Sequence, residues 1–516
     1  SFPTRRSSDL MEKVINVIQT IDEWARKEPQ RPVYLTEEKV STYGELKEKS
    51  DNLAAYLAEL KTDKSAIVVY GELDFEMIVS FLGASKAGFS YIPIDAHTPK
   101  ERIELILNVA KPTAVIAVHE WPELATEVPV ITAEELTEMM MHAPRHAPAL
   151  TPVTGASNYY IIFTSGTTGV PKGVQISHDN LVSFTNWLLR DFGLEEGARF
   201  LAQAPYSFDL SVMSIYPALA LGGSLTPLPN EIINDFKQLF TRLPQLTIDV
   251  WVSTPSFIEL CLMEPSFDGE HLPALRTFLF CGEELPKPTA EKLAARFPTA
   301  HIYNTYGPTE ATVAISAIEI TQEVLKSVQR LPIGYEKEDT QIYIMEGMSK
   351  LPAGEIGEIV IAGPSVSKGY LNNPAKTAEA FFQLDGVPAY RTGDAGKLVD
   401  NLLQYEGRLD FQIKLHGYRI ELEEVDHHLT NVSYVKQAVV VPKYQGNKVQ
   451  QLIAYVVPQA HEFSSDFQLT KAIKQELATL TMDYMIPQKF VYVEQLPLTS
   501  NGKIDRKGLM NEVNAT

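Results

Sequence analysis

The spacing of hydrophobic positions changes several times along the chain, and each change predicts an element. Within 11–60, Leu46, Leu53, Tyr56, Leu57 and Leu60 recur at a period near 3.6, which predicts helix, with a Pro-containing turn at 28–32. Continuous apolar runs at 66–70, 113–118 and 128–131 predict buried strands, and 75–87 predicts a helix ended by Gly88. Strand and helix therefore alternate, which favours a doubly wound α/β architecture. Residues 142–157, rich in Pro, Ala, Thr and Ser, read as a linker that delivers the chain to a further short strand at 158–163. Ser177 is placed to cap a helix running to Arg190, with Leu181, Phe184 and Leu188 as its buried stripe. Short strands at 249–252, 276–281 and 301–303 each end in a polar or Gly-containing turn, at 253–256, 282–284 and 304–310. Ligand sites in open α/β sheets gather at the carboxyl ends of strands, so these turns are site candidates.

From Pro332 onward the pattern shifts to short β segments at 341–344, 358–361 and 402–405. Residues 410–516 have their own cues: a helical stripe at Leu422, Val425 and Leu429, strands at 438–441 and 452–457, and a helix at 468–480. A boundary near 407–410 divides the chain into a large domain, 11–408, and a small α+β domain, 409–516. The 516-residue length suits this division.

Composition narrows the function classes. Hydrophobic residues are 45% and charged residues 21%, as in a globular protein with a full core. No apolar run reaches the ~20 residues needed to span a bilayer. Residues 1–10, SFPTRRSSDL, lack the apolar region of a secretory signal and the pattern of the chain that follows. They read as a non-native scar, with Met11 as the natural start. Cys261 and Cys281 form no CxxC pair or Cys/His cluster, which argues against structural zinc and suits a reduced, cytoplasmic compartment. A formal net charge of −20 disfavours a nucleic-acid partner, and an acidic protein partner would need a local basic patch. His301, His427 and His428 lack partner ligands at metal spacing and read as strand and surface residues, while 139–141, three methionines, read as helix packing.

The densest chemistry lies at 158–173, NYYIIFTSGTTGVPKG. A strand leads into Thr164, Ser165, Gly166, Thr167, Thr168 and Gly169, and residues 170–173, with Lys172, close the turn. Glycines let the backbone approach closely, successive N–H groups can converge on anionic oxygen, and the hydroxyls and Lys172 add donors and charge. This suits a polyphosphate. It is not the Walker loop, which ends G-K-[ST] and runs straight into a helix. A flexible Gly/Thr turn is the bland alternative.

Six motifs recur in order: TYGEL (42–46), TSGTTGVPKG (164–173), NTYGPTE (304–310), YRTGD (390–394), GRLDFQIKLHGYRIE (407–421) and NGKIDR (501–506). With them the chain resembles the ANL adenylate-forming superfamily of acyl-CoA synthetases, amino-acid-adenylating domains and luciferases, over essentially all of 11–516. The resemblance implies a carboxylate attacking the α-phosphorus of ATP to give an acyl-adenylate and pyrophosphate, followed by transfer of the acyl group to a thiol. It implies that the 164–172 loop cradles the β- and γ-phosphates and that Glu310 binds a bridging Mg2+, a hard ion that wants oxygen ligands. Asn304, Thr305 and Tyr306 are expected around the adenine, with Gly307, Pro308, Thr309 and Val313 completing the nucleotide site. Asp394 matches the ribose-binding carboxylate, with Tyr405, Gly407 and Arg408 nearby. Lys503 is expected to enter during adenylation, touching the substrate carboxylate and the α-phosphate. Asp410 resembles the hinge about which the small domain turns, withdrawing Lys503 and bringing in the 416–418 loop.

Two residues bear on the acid. Asp209 resembles the aspartate that pairs with an α-ammonium in amino-acid-adenylating members; a helix cap is its alternative role. Cys281 stands where such modules usually carry Gly, which would shrink the pocket near the substrate Cα; a buried core cysteine is the alternative. The contexts CGEEL (281–285), NTYGPTEATVA (304–314) and SFDLSVMSIYPAL (207–219) resemble the branch of the family that loads D-alanine onto a small acidic carrier protein for teichoic-acid D-alanylation. No carrier segment follows NGKIDR, so the carrier, with its phosphopantetheine arm, is expected in trans. An L-amino-acid-adenylating domain or an acyl-CoA synthetase is the alternative function.

Overall fold

The computed structural model describes residues 13–60, 66–146, 148–499 and 503–515. The presumed scar at 1–10 and the Asn501-Gly502 pair of the last motif lie outside the described residues.

Two sheets and the helices between them build the bulk of the large domain. One has nine strands, in the order Tyr335–Glu336, Ser316–Glu319, His301–Tyr306, Thr277–Phe280, Val250–Ser253, Arg199–Ala202, Ser224–Pro227, Pro32–Leu35, Val40–Thr42. Its interior pairs run parallel and its outer pairs antiparallel. The other has six, in the order Val130–Ile131, Ala114–Ala117, Ala66–Gly71, Ser90–Asp95, Asn158–Thr164, Lys172–Ser177. Every residue of the helix Val212–Ala220, and all but Glu76 of Phe75–Lys86, is buried, as in a helix enclosed on all sides. Both contribute to one core that draws residues from both sheets. Lys86, 2% exposed, is held by Asp22 at 2.8 Å, Asp51 at 2.6 Å and Ser50 at 3.0 Å. A separate core around Trp251 packs on the nine-stranded sheet.

A third, largely antiparallel sheet of six strands follows, centred on Gly357–Ala362 and Val387–Val399, with Leu402–Arg408 paired to the latter. The small domain has a hairpin, Gln412–Leu415 with Tyr418–Glu421, and a three-stranded sheet, Val435–Gln445, Lys448–Pro458 and Lys489–Tyr492. Its helices Leu422–Thr430 and Asp466–Leu480 share a core with that sheet, and Arg506–Asn514 packs on Val435–Gln445 and contributes Leu509 to a smaller cluster with it.

Local signals held where they were local. Ser177 caps His178–Asp191 through a reciprocal pair with Asn180, and Leu181, Phe184 and Leu188 are buried. Of the three methionines read as helix packing, Met140 is buried, while Met141 is exposed. Other expectations need correction. Residues 11–60 are not helical on both sides of a turn alone, because Pro32–Leu35 and Val40–Thr42 form an antiparallel pair between Val17–Lys27 and Tyr43–Ala58. Residues 170–173 do more than close a turn, since Lys172 begins a strand that returns along Asn158–Thr164, with Lys172 opposite Thr164. The fully buried strand Ser90–Asp95 contains Pro93, a residue that argues against a central strand in sequence. His428 is buried against Glu424 rather than on the surface, whereas His301 is an exposed strand residue.

Candidate active site

The strand Thr277–Phe280 ends at Cys281, and His301–Tyr306 ends in the Gly307-Pro308 turn. These carboxyl ends, the start of the Asp209–Ser211 turn and the third sheet open onto one cleft. Asp209, Cys281, Gly307, Pro308, Thr309, Val313, Asp394 and Arg408 all line it. So do residues that sequence reasoning left unassigned: Gln412, Lys414 and Arg419, all on the small-domain hairpin. Their signal was present in GRLDFQIKLHGYRIE, but nothing in that string says which side chains face the large domain.

Asp209 is 8% exposed. No side-chain cap bond is made at Phe208 or Ser211, the residues that precede the turn and the following helix, so Asp209 does not act as a helix cap. Burial pushes its carboxyl up to about 6, with a Thr309 hydrogen bond and the Lys414 charge pulling the other way. Such a group lacks the strong cationic partner that would keep it ionised. Cys281 is 3% exposed, and its Sγ lies 3.7 Å from the Val313 carbonyl oxygen. Burial raises its thiol pKa, which makes it a wall rather than a nucleophile. Thr312 and Val313 both have left-handed backbone, φ 61° and 68°. For a β-branched residue this conformation is an outlier, costing about 1–3 kcal/mol, and it occurs here beside the cleft.

Around the expected nucleotide, Asp394 accepts from Tyr306 Oη at 2.5 Å and from Arg408 Nη1 at 2.8 Å. Arg408 also reaches Asp410, the expected hinge, through Nε at 2.8 Å, and Gln412 at 3.0 Å. Tyr306 and Tyr405 lie 6.4 Å apart between ring centres. Gly407 has φ 116°, a conformation natural to glycine, where Leu402–Arg408 pairs with the Asp394 strand. Asn304 donates to the Pro332 carbonyl at 2.8 Å and Thr305 to the Phe280 carbonyl at 2.8 Å, so both brace the site's floor. Gly307 has no room for a side chain, since a Cβ there would meet Ala314 Cα at 2.5 Å.

Glu310 is completely buried. Its carboxylate accepts Arg419 Nη1 at 2.7 and 2.9 Å and Tyr370 Oη at 2.8 Å. Burial alone would raise its pKa, but Arg419 and Lys172 outweigh it and hold the group at about 2. Among the described residues no cluster of three or more His, Cys, Asp or Glu side chains is arranged to hold a metal ion. Glu310 is thus a single hard oxygen donor, which fits an ion such as Mg2+ that keeps most of its water and phosphate ligands.

The 164–172 loop meets the small domain directly. Ser165 Oγ donates to the Arg419 carbonyl at 3.0 Å, and Gly166 N–H donates to Glu424 Oε2 at 3.0 Å. Lys172 Nζ stands 3.9 Å from Glu421. The Thr164 hydroxyl is buried without a hydrogen-bond partner, a donor a phosphate oxygen would satisfy. Thr167 and Thr168 are exposed. Gly417, at φ 85°, sits so close to Thr254 that a Cβ would approach Thr254 Cγ2 to 2.3 Å. Lys503 is exposed and does not line the cleft; its backbone pairs with Thr499.

This combination of fold and cleft is that of an adenylate-forming enzyme. The chain belongs to the AMP-binding enzyme family, matching it over residues 21–371 and its C-terminal domain over 424–503. It is 57% identical to the D-alanine--D-alanyl carrier protein ligase of Lactiplantibacillus plantarum, covering 97% of this chain and 99% of that one. It is 52% identical to the ligase of the same name from Streptococcus agalactiae, with the same coverage. Among solved structures, an NRPS protein containing adenylation and PCP domains matches with TM-score 0.78 at 26% identity, covering 96% of this chain and 97% of that chain. The Vibrio cholerae adenylation domain AlmE, in complex with glycyl-adenosine-5'-phosphate, shares the fold with TM-score 0.78 at 23% identity, covering 99% of each chain. Among the described residues no helix is long and apolar enough to cross a membrane.

The Glu310–Arg419 pair makes a pH prediction. The folded-state pKa of Glu310 lies near 2, below the ordinary 4.5, so its stabilisation is present above pH 4.5 and is lost as pH falls toward 2. Its size is on the order of 3 kcal/mol. Glu310→Gln should lower the thermal midpoint near neutral pH, and the gap from the unmodified protein should close through that acid window. A gap independent of pH would show that the ionised carboxylate is not what stabilises this arrangement.

Proposed function

We propose that the chain activates D-alanine with ATP and transfers the D-alanyl group to the phosphopantetheine thiol of a separate D-alanyl carrier protein. The observation that carries this is Asp209, a buried carboxyl without a strong cationic partner, in one cleft with Cys281 and Asp394. A small amino acid would bring the missing cation as its α-ammonium, ionising Asp209 as it binds. Cys281, which lines the same cleft, would narrow the space for the substrate side chain and so favour a small one. Asp394 would take the ribose hydroxyls, and the 164–172 loop would hold the β- and γ-phosphates. Glu310 would hold Mg2+, which supplies charge neutralisation across the phosphates. Names of full-length relatives at 52–57% identity, all D-alanine--D-alanyl carrier protein ligases, support the reading.

Two half-reactions follow. The D-alanine carboxylate oxygen forms a bond to the α-phosphorus while the bond to the pyrophosphate oxygen breaks. A thiolate sulfur then bonds to the carbonyl carbon and the acyl–phosphate oxygen bond breaks, releasing AMP. The present arrangement suits the second step. Gly417 packs against Thr254 so closely that no side chain fits between them, which lets the 416–418 loop seat beside the cleft. Lys503 lies outside the cleft, so the first step requires the small domain, 409–516, to turn about Asp410 and bring this lysine in. There it would neutralise charge at the attacked phosphorus.

ATP–pyrophosphate exchange with D-Ala, L-Ala, Gly, L-Ser and acetate tests the assignment. Exchange should be strongest with D-Ala; none with any of the five would overturn it. Cys281→Gly should raise exchange with L-Ala relative to D-Ala, and an unchanged ratio would reduce Cys281 to core packing. Lys503→Ala should slow adenylation by about 10²–10³-fold, comparable to removing one strong transition-state donor, yet largely spare transfer from preformed adenylate. Equal loss in both steps would refute the turning of the small domain.

A further inference from the structure

Away from the cleft, the strands Pro32–Leu35 and Val40–Thr42 and the start of the helix Phe75–Lys86 enclose a second cavity, of about 190 Å³. This is below the ~300 Å³ at which pockets begin to take drug-sized ligands, so only a small molecule fits. Tyr34, Lys39, Ser41, Asp74, Phe75 and Glu76 line it. Asp74 stands at the cap position of the helix but makes no cap bond. Its carboxylate instead accepts the Glu72 N–H at 3.0 Å and faces His119 Nε2 at 2.8 Å. The first N–H groups of the helix are left without a side-chain acceptor, and they favour negative charge. Ser41 is an independent sign of a ligand. It is 3% exposed, lines the cavity, and its hydroxyl makes no hydrogen bond among the described residues. Lys39 adds a cation, 5.9 Å from the centre of the Phe75 ring. Glu76 joins no ion pair among the described residues, and Lys39 only a long one to Glu45, at 3.9 Å. A simple anion placed here would meet Glu76, and a simple amine would meet Lys39 and the helix start. A molecule with both charges on one carbon answers all three.

We infer that this cavity is a second binding site, for a small zwitterionic α-amino acid. The ligand's carboxylate lies toward Lys39, Ser41 and the helix start, and its ammonium toward Glu76. The cavity wall leads on to the cleft. Tyr34 Oη donates to the Leu73 carbonyl at 2.5 Å and lies 3.3 Å from Tyr206 Oη, just upstream of Asp209. Both tyrosines are buried, so a ligand that moves Tyr34 presses on the segment that carries Asp209. The site thus reports amino-acid supply to the cleft without taking part in its chemistry, and no covalent step is involved.

The test uses the full chain saturated with D-alanyl sulfamoyl adenosine, an unreactive adenylate mimic that fills the cleft, and saturation-transfer NMR with glycine as the probe. Glycine should still receive saturation from the protein. Acetate and methylamine, with one charge each, should bind about tenfold more weakly. Lys39→Met and Glu76→Gln, at positions open to solvent, should each weaken glycine binding by about tenfold, and Ser41→Ala by less. Lys39→Met should leave the exchange rate at saturating D-Ala unchanged. No transfer to glycine in the mimic-saturated protein would overturn the inference, as would transfer indifferent to both Lys39→Met and Glu76→Gln. Acetate binding as tightly as glycine would overturn the zwitterion. Failure of the mimic to bind would instead sink the proposed adenylation, and the comparison of the two variants would still read the cavity.

Discussion

Everything at the cleft depends on how one carboxylate is kept charged where no water reaches it. Glu310 has no exposed surface, and the interior penalises an ion unless a counter-ion is fixed beside it. Arg419 is that counter-ion, and it belongs to the small domain. Neutralising Glu310 and closing the cleft are therefore one event. The hairpin that carries Arg419 also carries Gly417 against Thr254 and Tyr418 to within 5.9 Å of the Phe208 ring, just before Asp209. Tyr418 in turn stacks on Tyr484 at 3.9 Å, which fixes the hairpin to its own domain. A charge requirement at one buried atom thus sets the register of a whole domain.

The same economy governs the wider charge distribution. A chain of net charge −20 has few cations to spare, yet Lys172, Arg102, Arg408, Lys414 and Arg419 converge on the cleft and the loop beside it. Lys172, Arg102, Arg408 and Arg419 each have an acidic group within 4 Å in the present arrangement. Lys172 illustrates the balance: burial lowers its pKa, Arg419 lowers it further, and Glu310 and Glu421 pull it back up. An incoming nucleotide would find cations already oriented by carboxylates, and it would compete for them rather than order them anew. Pre-orientation of this kind reduces the cost of binding a polyanion.

How much of this was legible in the sequence follows from the distance over which each feature is decided. Ser177 and its helix, or the turn after Phe280, are settled within a few residues and read correctly, whereas the turn expected at 304–310 begins only after Tyr306, because 304–306 continue the strand in pairing with Ser316–Glu319. The strand Lys172–Ser177 was missed because its identity depends on pairing with Asn158–Thr164, and Ser90–Asp95 because Pro93 obscures a strand that only its parallel neighbours define. The motifs named Glu310 and the loop, but the partners they meet here are Arg419, 109 residues away, and Glu424, 258 residues from Gly166. No periodicity reports such pairs. Lys503 shows the converse: its motif resembles one that enters the site, yet here it is exposed and does not line the cleft.

The proposed selectivity for a small acid has a mechanical side that the motifs alone would not suggest. Cys281 sets its sulfur against the carbonyl of Val313, and Val313 is held at φ 68° beside Thr312 at 61°. Backbone kept in so unfavourable a conformation for a β-branched residue is held by its surroundings, here in part by the Thr312 hydroxyl bonded to the Ser365 carbonyl at 2.7 Å. Such a wall cannot relax inward to fill space vacated at position 281, and in a packed interior a void that cannot collapse persists as room for something else. A methyl group of the wrong hand is about the right size to occupy it. Discrimination between enantiomers would then rest less on any attraction exerted by the thiol than on the stiffness of the backbone behind it.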